Sequence, residues 1–224
     1  MRVLRAFMGS ALASLLLLVG TAPASAAGGT DYGAHCPSEN RNRAVNTTPP
    51  DGRPFYHEDW RLGPADLPRT GALGRMLRGY DRSGGTSSYW FLGCYWQTAP
   101  QTEKSGWWYP DNNGFVLRDG VPVERAVTLR AGQLLDIFGS GFGHFLAPAG
   151  TPYADRAIPP SNLNTYDAAH PFSYHLYRVV APFTVEAGPI RPWFGQPGLG
   201  LQYLTTPSIP DLIASHNLEE LPVV

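Results

Sequence analysis

The spacing of apolar residues predicts one amphipathic helix in the first half of the chain. Positions i, i+3, i+4 and i+7 of this segment, which share one helix face, are occupied by Leu73, Met76, Leu77 and Tyr80. Thr70 stands where an N-cap residue is expected. Three glycines lie within or beside the segment and lower its helix propensity, so the predicted helix is short.

From about residue 130 the apolar pattern changes to a period of two, which is typical of β-strands. The predicted strands are Gln133–Phe138, Tyr174–Val180, Phe183–Glu186 and Leu201–Thr205, and a short helix at about Asp211–His216 closes the chain. The 22 prolines and 25 glycines divide the sequence into short elements. Because strands do not alternate with long helices, the pattern predicts a single β-rich α+β domain with an antiparallel sheet core.

The first residues have the features of an export signal. Arg2 and Arg5 precede an apolar run at 6–20, and small residues at 24–26 offer a cleavage site. The run is shorter than a membrane-spanning helix requires, although a retained anchor is the alternative. The predicted organisation is a signal peptide at 1–26, an N-terminal arm at 27–59 and one domain at 60–224.

The charge balance excludes some classes of partner. The net charge is −1, and loss of Arg2 and Arg5 with the signal would make it −3. No basic patch stands out, so we do not expect a nucleic-acid-binding protein. No later segment is long and apolar enough to span a membrane, so the mature protein is predicted to be secreted.

The chain has two cysteines, Cys36 and Cys94. In an exported protein such a pair is predicted to form a disulfide, with two buried free thiols as the alternative. No CxxC motif or histidine-rich ligand set accompanies them, so no metal site is predicted.

Several familiar catalytic motifs are absent. The sequence contains no GxSxG, HExxH or Walker-type motif, so a serine or zinc hydrolase is not supported. The segment Gly139–His144 follows a predicted strand and approaches a dinucleotide-binding fingerprint, but His144 replaces its last glycine. We interpret this segment as a glycine-rich turn between strands.

An ordered series of motifs between residues 107 and 203 carries the functional signal. In chain order the segments are Trp107–Pro110, Asn113–Phe115, Leu134–Gly139, Phe145–Pro148, Arg156–Leu163, Tyr174–Tyr177 and Gly188–Gly198. This series, with Trp60–Pro64 upstream, resembles the TNT domain family, named for the tuberculosis necrotizing toxin, and its secreted fungal-type NADases. The most specific segment is PWFGQPG at 192–198.

The resemblance implies a secreted NAD+ or NADP+ glycohydrolase that releases nicotinamide and ADP-ribose, and a fold distantly like that of the ADP-ribosyltransferases. The chemistry is consistent with the residues, because nicotinamide leaves as a neutral molecule and needs no general acid. The paired carboxylates of ordinary glycosidases are therefore unnecessary. An enzyme must still orient the ribose, stabilise an oxocarbenium-like transition state and neutralise a diphosphate.

Gln196 is the first candidate for a catalytic residue. It lies between Gly195 and Pro197, and a proline-flanked turn restricts the backbone and can aim a side chain. The resemblance places a functional glutamine in this motif, where its amide would bond the ribose hydroxyls. A solvent-exposed turn residue is the alternative, and Gln202 is the lesser candidate.

The remaining candidates follow from the resemblance and from residue chemistry. His175 is the second catalytic candidate, with a structural histidine as the alternative. Arg156 is expected to hold the diphosphate, since a guanidinium can bind it bidentately, with a surface ion pair to Asp155 or another acid as the alternative. The aromatic candidates for substrate binding are Phe138, Phe145, Trp193 and Phe194, each of which could instead belong to the core.

One departure from the family pattern concerns a cation. Ile137 stands where many members have arginine, so a positive charge is missing from the expected diphosphate site. Either another arginine substitutes for it or activity is reduced. The substitutes in the sequence are Arg130, Arg178 and Arg191.

Two other functions stay open at this point. An ADP-ribosyltransferase would need a glutamate to activate its acceptor, and the available residues are Glu186, Glu219 and Glu220. A catalytically impaired module would bind a nucleotide or protein without turnover. The resemblance also leaves open a homodimer, an immunity protein and a calcium site near the C-terminus. We predict no cofactor, since NAD+ is the substrate.

Overall fold

The computed structural model describes Cys36 and residues 54–97 and 105–223. The predicted signal peptide and most of the predicted arm lie outside the described residues, so both stay predictions. No helix in the described ranges is long and apolar enough to cross a membrane.

The described elements are three short α-helices and eleven strands. The helices are α1 (Gly71–Met76), α2 (Ser88–Tyr95) and α3 (Ile209–Ala214). The strands are β1 (Trp96–Gln97), β2 (Gly106–Trp107), β3 (Leu117–Arg118), β4 (Val121–Pro122), β5 (Arg125–Leu129), β6 (Leu134–Phe138), β7 (Phe145–Pro148), β8 (Tyr174–Val179), β9 (Phe183–Pro189), β10 (Leu201–Leu204) and β11 (Leu218–Leu221).

Seven strands form one sheet in the order β11-β8-β6-β7-β10-β9-β5. Every neighbouring pair in this sheet is antiparallel. The pairs β1-β2 and β3-β4 are separate two-stranded ribbons. The predicted β-rich α+β fold with an antiparallel core is confirmed.

The sheet presents two different faces because side chains alternate along each strand. One face, which we call the core face, packs against α3 through the buried Ile209 and Leu212. Its buried strand residues include Leu135, Leu146, Tyr177, Val185 and Tyr203. The opposite face carries Asp136 and its cross-strand neighbours Ala147 and Leu176. We call it the cavity face, since it holds the cavity described below.

The predicted elements agree with the observed ones within a few residues. Helix α1 begins after Thr70, which occupies the N-cap position without a side-chain bond to the helix. Helix α3 begins after Ser208, whose hydroxyl and Asp211 form a reciprocal capping box. The sequence analysis did not predict α2, β5, β7 or β11. Helix α2 buries five consecutive residues, Phe91–Tyr95, so it shows no amphipathic period.

Cys36 and Cys94 form a disulfide, as predicted, across a sequence separation of 58 residues. Cys94 is buried in α2 beside an aromatic cluster that includes Phe91 and Trp193. The bond therefore ties residue 36 to the part of the core that holds the PWFGQPG segment.

We expect a Cys36→Ala/Cys94→Ala variant to lose about 4 kcal/mol of unfolding free energy, because the disulfide restricts a long loop in the unfolded chain. Urea denaturation of the variant and the parent would measure the loss. Reduction of the parent should reproduce it and serves as a control for cavities left by the alanines. A loss of less than about 1 kcal/mol would show that the disulfide does not restrict the unfolded chain in this way.

Candidate active site

A cavity of about 410 Å³ opens on the cavity face of the sheet. This volume lies within the range of small-molecule sites. Strands β6, β7 and β10 form its floor, and the segments around 109–114, 156–162 and 190–191 form its walls. The polar and aromatic residues that line it are Tyr109, Asn113, Asp136, Phe138, Phe145, Arg156, Asn162, Arg191 and Gln202.

Arg156 is held rigidly at this cavity. Its Nη2 lies 2.6 Å from Asp136 Oδ1, and its Nε and Nη2 donate to the Thr151 carbonyl at 3.1 and 2.9 Å. The guanidinium also lies over the Phe138 ring, 5.1 Å from its centroid. These bonds use Nε and Nη2, so Nη1 remains to donate to an anion. Sequence reasoning placed Arg156 in the site, and the structure places it on the wall.

Asp136 is the buried anchor of this arginine. Its side chain is fully buried, and its second oxygen accepts from Gly150 N at 2.8 Å and from Tyr174 Oη at 3.0 Å. Burial, reinforced by the neighbouring carboxylate, raises the pKa of Tyr174, so its hydroxyl stays protonated and donates. Asp136 was not a sequence-predicted site residue. The sequence did contain a signal for it, because Asp136 lies between apolar residues of a predicted strand. An acid buried in such a strand needs a hydrogen-bonding or charged partner.

Gln202 brings an amide to the cavity from β10. Its Nε2 donates to the Asn113 carbonyl at 2.9 Å, and this hydrogen bond fixes the amide. The Oε1 atom takes no part in this bond and can accept a hydrogen bond from a ligand. The backbone pairs with Gly188 of β9. Gln202 was the lesser candidate in the sequence analysis, and it is the glutamine that lines this cavity.

The Gln196 side chain lies elsewhere, which departs from the sequence prediction. It is 3% exposed, and its Nε2 donates to the carbonyls of Asp81 at 2.5 Å and Phe194 at 3.3 Å. Gly195, at φ 64°, lies so close to Gly84 that a Cβ there would be 3.0 Å from the Gly84 Cα. In this structure the PWFGQPG segment therefore packs tightly against residues 81–84.

His175 also lies outside the cavity. Asp136 and His175 occupy adjacent strands, but His175 pairs with Ile137, so its side chain projects from the core face. Its ring lies parallel to that of Tyr177, with centroids 6.2 Å apart, as the predicted alternation of β8 requires. Alternation along the strand thus separates His175 from Arg156.

The four aromatic candidates divide into two pairs. Phe138 and Phe145 line the cavity. Trp193 and Phe194 do not, because both are buried in the cluster around α2, where Trp193 Nε1 donates to the Trp108 carbonyl at 2.6 Å. Phe194 supports the cavity indirectly, through an edge contact with Tyr109 at 5.4 Å.

Arg191 supplies the second cation of the cavity. Among the described residues that line it, Arg156 and Arg191 are the two that carry positive charge. Ile137 borders the cavity from β6, but its side chain packs against the core face, so the cation that the resemblance implied at this position would not project into the cavity. Of the other substitutes, Arg178 pairs with Glu219 on the exposed edge, and Arg130 is in a turn away from the cavity.

The acidic pair near the C-terminus does not form a calcium cage. Glu219 and Glu220 are adjacent on β11, so they project from opposite faces. Glu219 pairs with Arg178, whereas Glu220 contacts His175 and His170. A calcium ion prefers six to eight oxygen ligands, which these two divergent carboxylates do not provide together.

Comparison with known proteins decides the family. A family model described as tuberculosis necrotizing toxin matches residues 128–221. The conidial surface nicotinamide adenine dinucleotide glycohydrolase nadA of Aspergillus fumigatus is 45% identical over 165 residues, which cover 73% of this chain and 69% of that protein. The chain belongs to the TNT family. This confirms the resemblance that the ordered motifs indicated.

A solved structure supports the TNT-family fold. The tuberculosis necrotizing toxin, in complex with its immunity factor IFT, superposes with a TM-score of 0.54 at 17% identity. The match covers 81% of this chain and all of the toxin chain. At 17% identity, this similarity shows that the two proteins share a fold.

Proposed function

We propose that this protein hydrolyses the nicotinamide–ribose bond of NAD+ and NADP+ at the cavity face of its sheet. The curated relative at 45% identity is an NAD glycohydrolase, and the chain shares its family. The observation that carries the proposal is a cavity that joins a buried, preorganised arginine to a fixed glutamine amide and aromatic walls.

The charges of the cavity suit this bond better than an ordinary glycosidic bond. Asp136 is the one carboxylate among the described lining residues, and Arg156 neutralises it. A glycosidase that must protonate its leaving group needs a second carboxyl group. Nicotinamide leaves NAD+ as a neutral molecule, so a cavity without a general acid is sufficient.

Each polar group then has a defined task. Arg156 and Arg191 bind the diphosphate. Gln202 bonds the ribose and holds it while positive charge develops at its anomeric carbon. Phe138, Phe145 and Tyr109 contribute apolar surface against the base.

We further propose that the protein acts outside the cell that makes it. The predicted signal peptide, the disulfide and the surface location in the name of the fungal relative support this placement. A toxin role, with an immunity protein as partner, belongs to the same proposal, because the toxin of like fold was solved with its immunity factor.

Incubation of the purified protein with NAD+ or NADP+, followed by chromatography, tests the activity. We expect equal amounts of nicotinamide and ADP-ribose, or its 2′-phosphate. ADP-ribose attached to protein would support a transferase instead. Nucleotide binding without release of nicotinamide would support the impaired module, and either result would overturn the proposal.

A further inference from the structure

A second cavity, of about 660 Å³, shares none of its lining residues with the candidate active site. It is bounded by the Gly139–Phe142 loop, by residues 166–175 and by the C-terminal region from Pro210 to Glu220. His175 and Tyr177 line it from the core face of β8. The histidine that sequence reasoning assigned to catalysis therefore belongs to a different site.

Three potential metal ligands converge in this cavity. His175 Nδ1 lies 2.7 Å from Glu220 Oε1, and His170 Nε2 lies 3.2 Å from the same oxygen. The two imidazole rings stack with centroids 4.0 Å apart. One ligand atom from each of the three residues lies within 4.8 Å of the others.

Asp167 shows how His170 is oriented. Its Oδ2 lies 2.8 Å from His170 Nδ1, which donates because a carboxylate accepts. A neutral His170 that donates from Nδ1 presents the lone pair of Nε2 to the Glu220 oxygen. A cation, either a proton on Nε2 or a metal ion, would turn this contact between two electron-rich atoms into an attractive one. A carboxylate on the far nitrogen of a metal-ligating histidine is also the usual outer-shell arrangement.

We propose that His170, His175 and Glu220 bind a divalent transition metal ion such as Zn²⁺. Two imidazoles and one carboxylate are a ligand set of three-residue zinc sites, in which the fourth position is open. The adjoining cavity provides room for a water molecule there. Nitrogen ligands favour zinc over calcium, which prefers oxygen.

Metal binding requires a local rearrangement of the three side chains. Ligands of a tetrahedral zinc ion are separated by roughly 3.3 Å, given metal–ligand bonds of about 2.0–2.1 Å. The two contacts to Glu220 Oε1, at 2.7 and 3.2 Å, are close to this separation, and the Glu220 side chain is 35% exposed and can adjust. The two imidazoles are stacked, so one of them must turn for both ring nitrogens to face one ion. His170 is partly exposed and lies outside the strands, so it is the ring that can turn.

The site links two paired strands to the turn that precedes one of them. Glu220 is on the edge strand β11, His175 is on its hydrogen-bonded neighbour β8, and His170 precedes β8 in the chain. A bound ion would add a cross-link between this strand pair and the turn at 167–173. We therefore expect zinc to stabilise the fold without any direct role in hydrolysis.

Zinc titration of tag-free, EDTA-dialysed protein by calorimetry tests the site. We expect one Zn²⁺ per chain, a melting temperature raised by about 4 °C or more at saturation, and no competition from Ca²⁺. His170→Gln and Glu220→Gln should each weaken binding at least about 10-fold. His216→Asn, a change to an exposed histidine outside the cluster, is the matched control and should bind like the parent.

Cobalt substitution adds a spectroscopic readout. Co²⁺ at the site should give visible absorption typical of four or five ligands, which His170→Gln would abolish. Absence of stoichiometric binding would overturn the proposal and leave a proton as the cation at this cluster. Unchanged binding in both variants would also overturn it, because the ion would then be held elsewhere. Circular dichroism of each variant checks that it is folded.

Discussion

Gln202→Ala is expected to lower kcat for NAD+ hydrolysis by about 100-fold or more, because it removes a fixed hydrogen-bonding group from the reacting ribose. Gln202 is partly exposed at the cavity, and its one described side-chain bond is to the Asn113 carbonyl. The free energy of unfolding should therefore change by less than about 1 kcal/mol. Steady-state kinetics and urea denaturation of the same preparation measure the two effects.

Gln196→Ala is the matched comparison and should show the opposite pattern. Its buried amide donates to two carbonyls, and the loss of these hydrogen bonds should lower the free energy of unfolding by about 2–3 kcal/mol. Folded enzyme should keep a kcat within a few-fold of the parent. If Gln196→Ala were the inactive variant and Gln202→Ala the active one, our placement of the catalytic amide would be wrong.

Arg156→Ala is expected to reduce both activity and stability strongly. Removal of the guanidinium leaves Asp136 as a buried charge without a charged partner, which costs about 3–5 kcal/mol. The same change removes the preorganised donor for the diphosphate, so kcat/KM should fall by at least about 100-fold. Thermal unfolding and kinetics at a temperature where the variant is folded separate the two losses.

Arg191→Ala isolates the contribution of the second cation to substrate binding. Arg191 is partly exposed and contacts the Trp193 ring at 5.3 Å, so its removal should affect stability little. We expect KM to rise about 10-fold to 100-fold with a smaller change in kcat, since a charge-assisted bond to phosphate is lost. An unchanged KM would show that Arg191 does not bind the diphosphate.

Two consecutive residues of strand β6 lie next to residues of two different sites. Asp136 and Ile137 are consecutive in β6, and their side chains project from opposite faces. The first anchors Arg156 at the candidate active site, and the second pairs with His175 beside the proposed metal site. A metal-dependent change in stability can therefore be measured without disturbing the groups that we propose to contact NAD+.

The sequence by itself determined the family, the fold class and the disulfide. Alternation of apolar residues located β6, β8, β9 and β10, since each strand buries one face against the core. The order of motifs indicated the TNT family, and two cysteines in an exported chain indicated the bond between Cys36 and Cys94. Arg156, Phe138 and Phe145 line the cavity, and their role in substrate binding stays a prediction.

Only the tertiary structure decided that Gln202 lines the candidate active-site cavity, whereas Gln196 and His175 lie outside it. A specific motif can reflect tight packing as well as chemistry, and Gln196 is fixed by contacts with residues 81–84, which are more than 100 positions away in the chain. His175, His170 and Glu220 converge because β11 pairs with β8, a long-range pairing that no local pattern encodes. Side-chain spacing along a strand fixes the face on which a residue lies, whereas its partners depend on the register of the neighbouring strands.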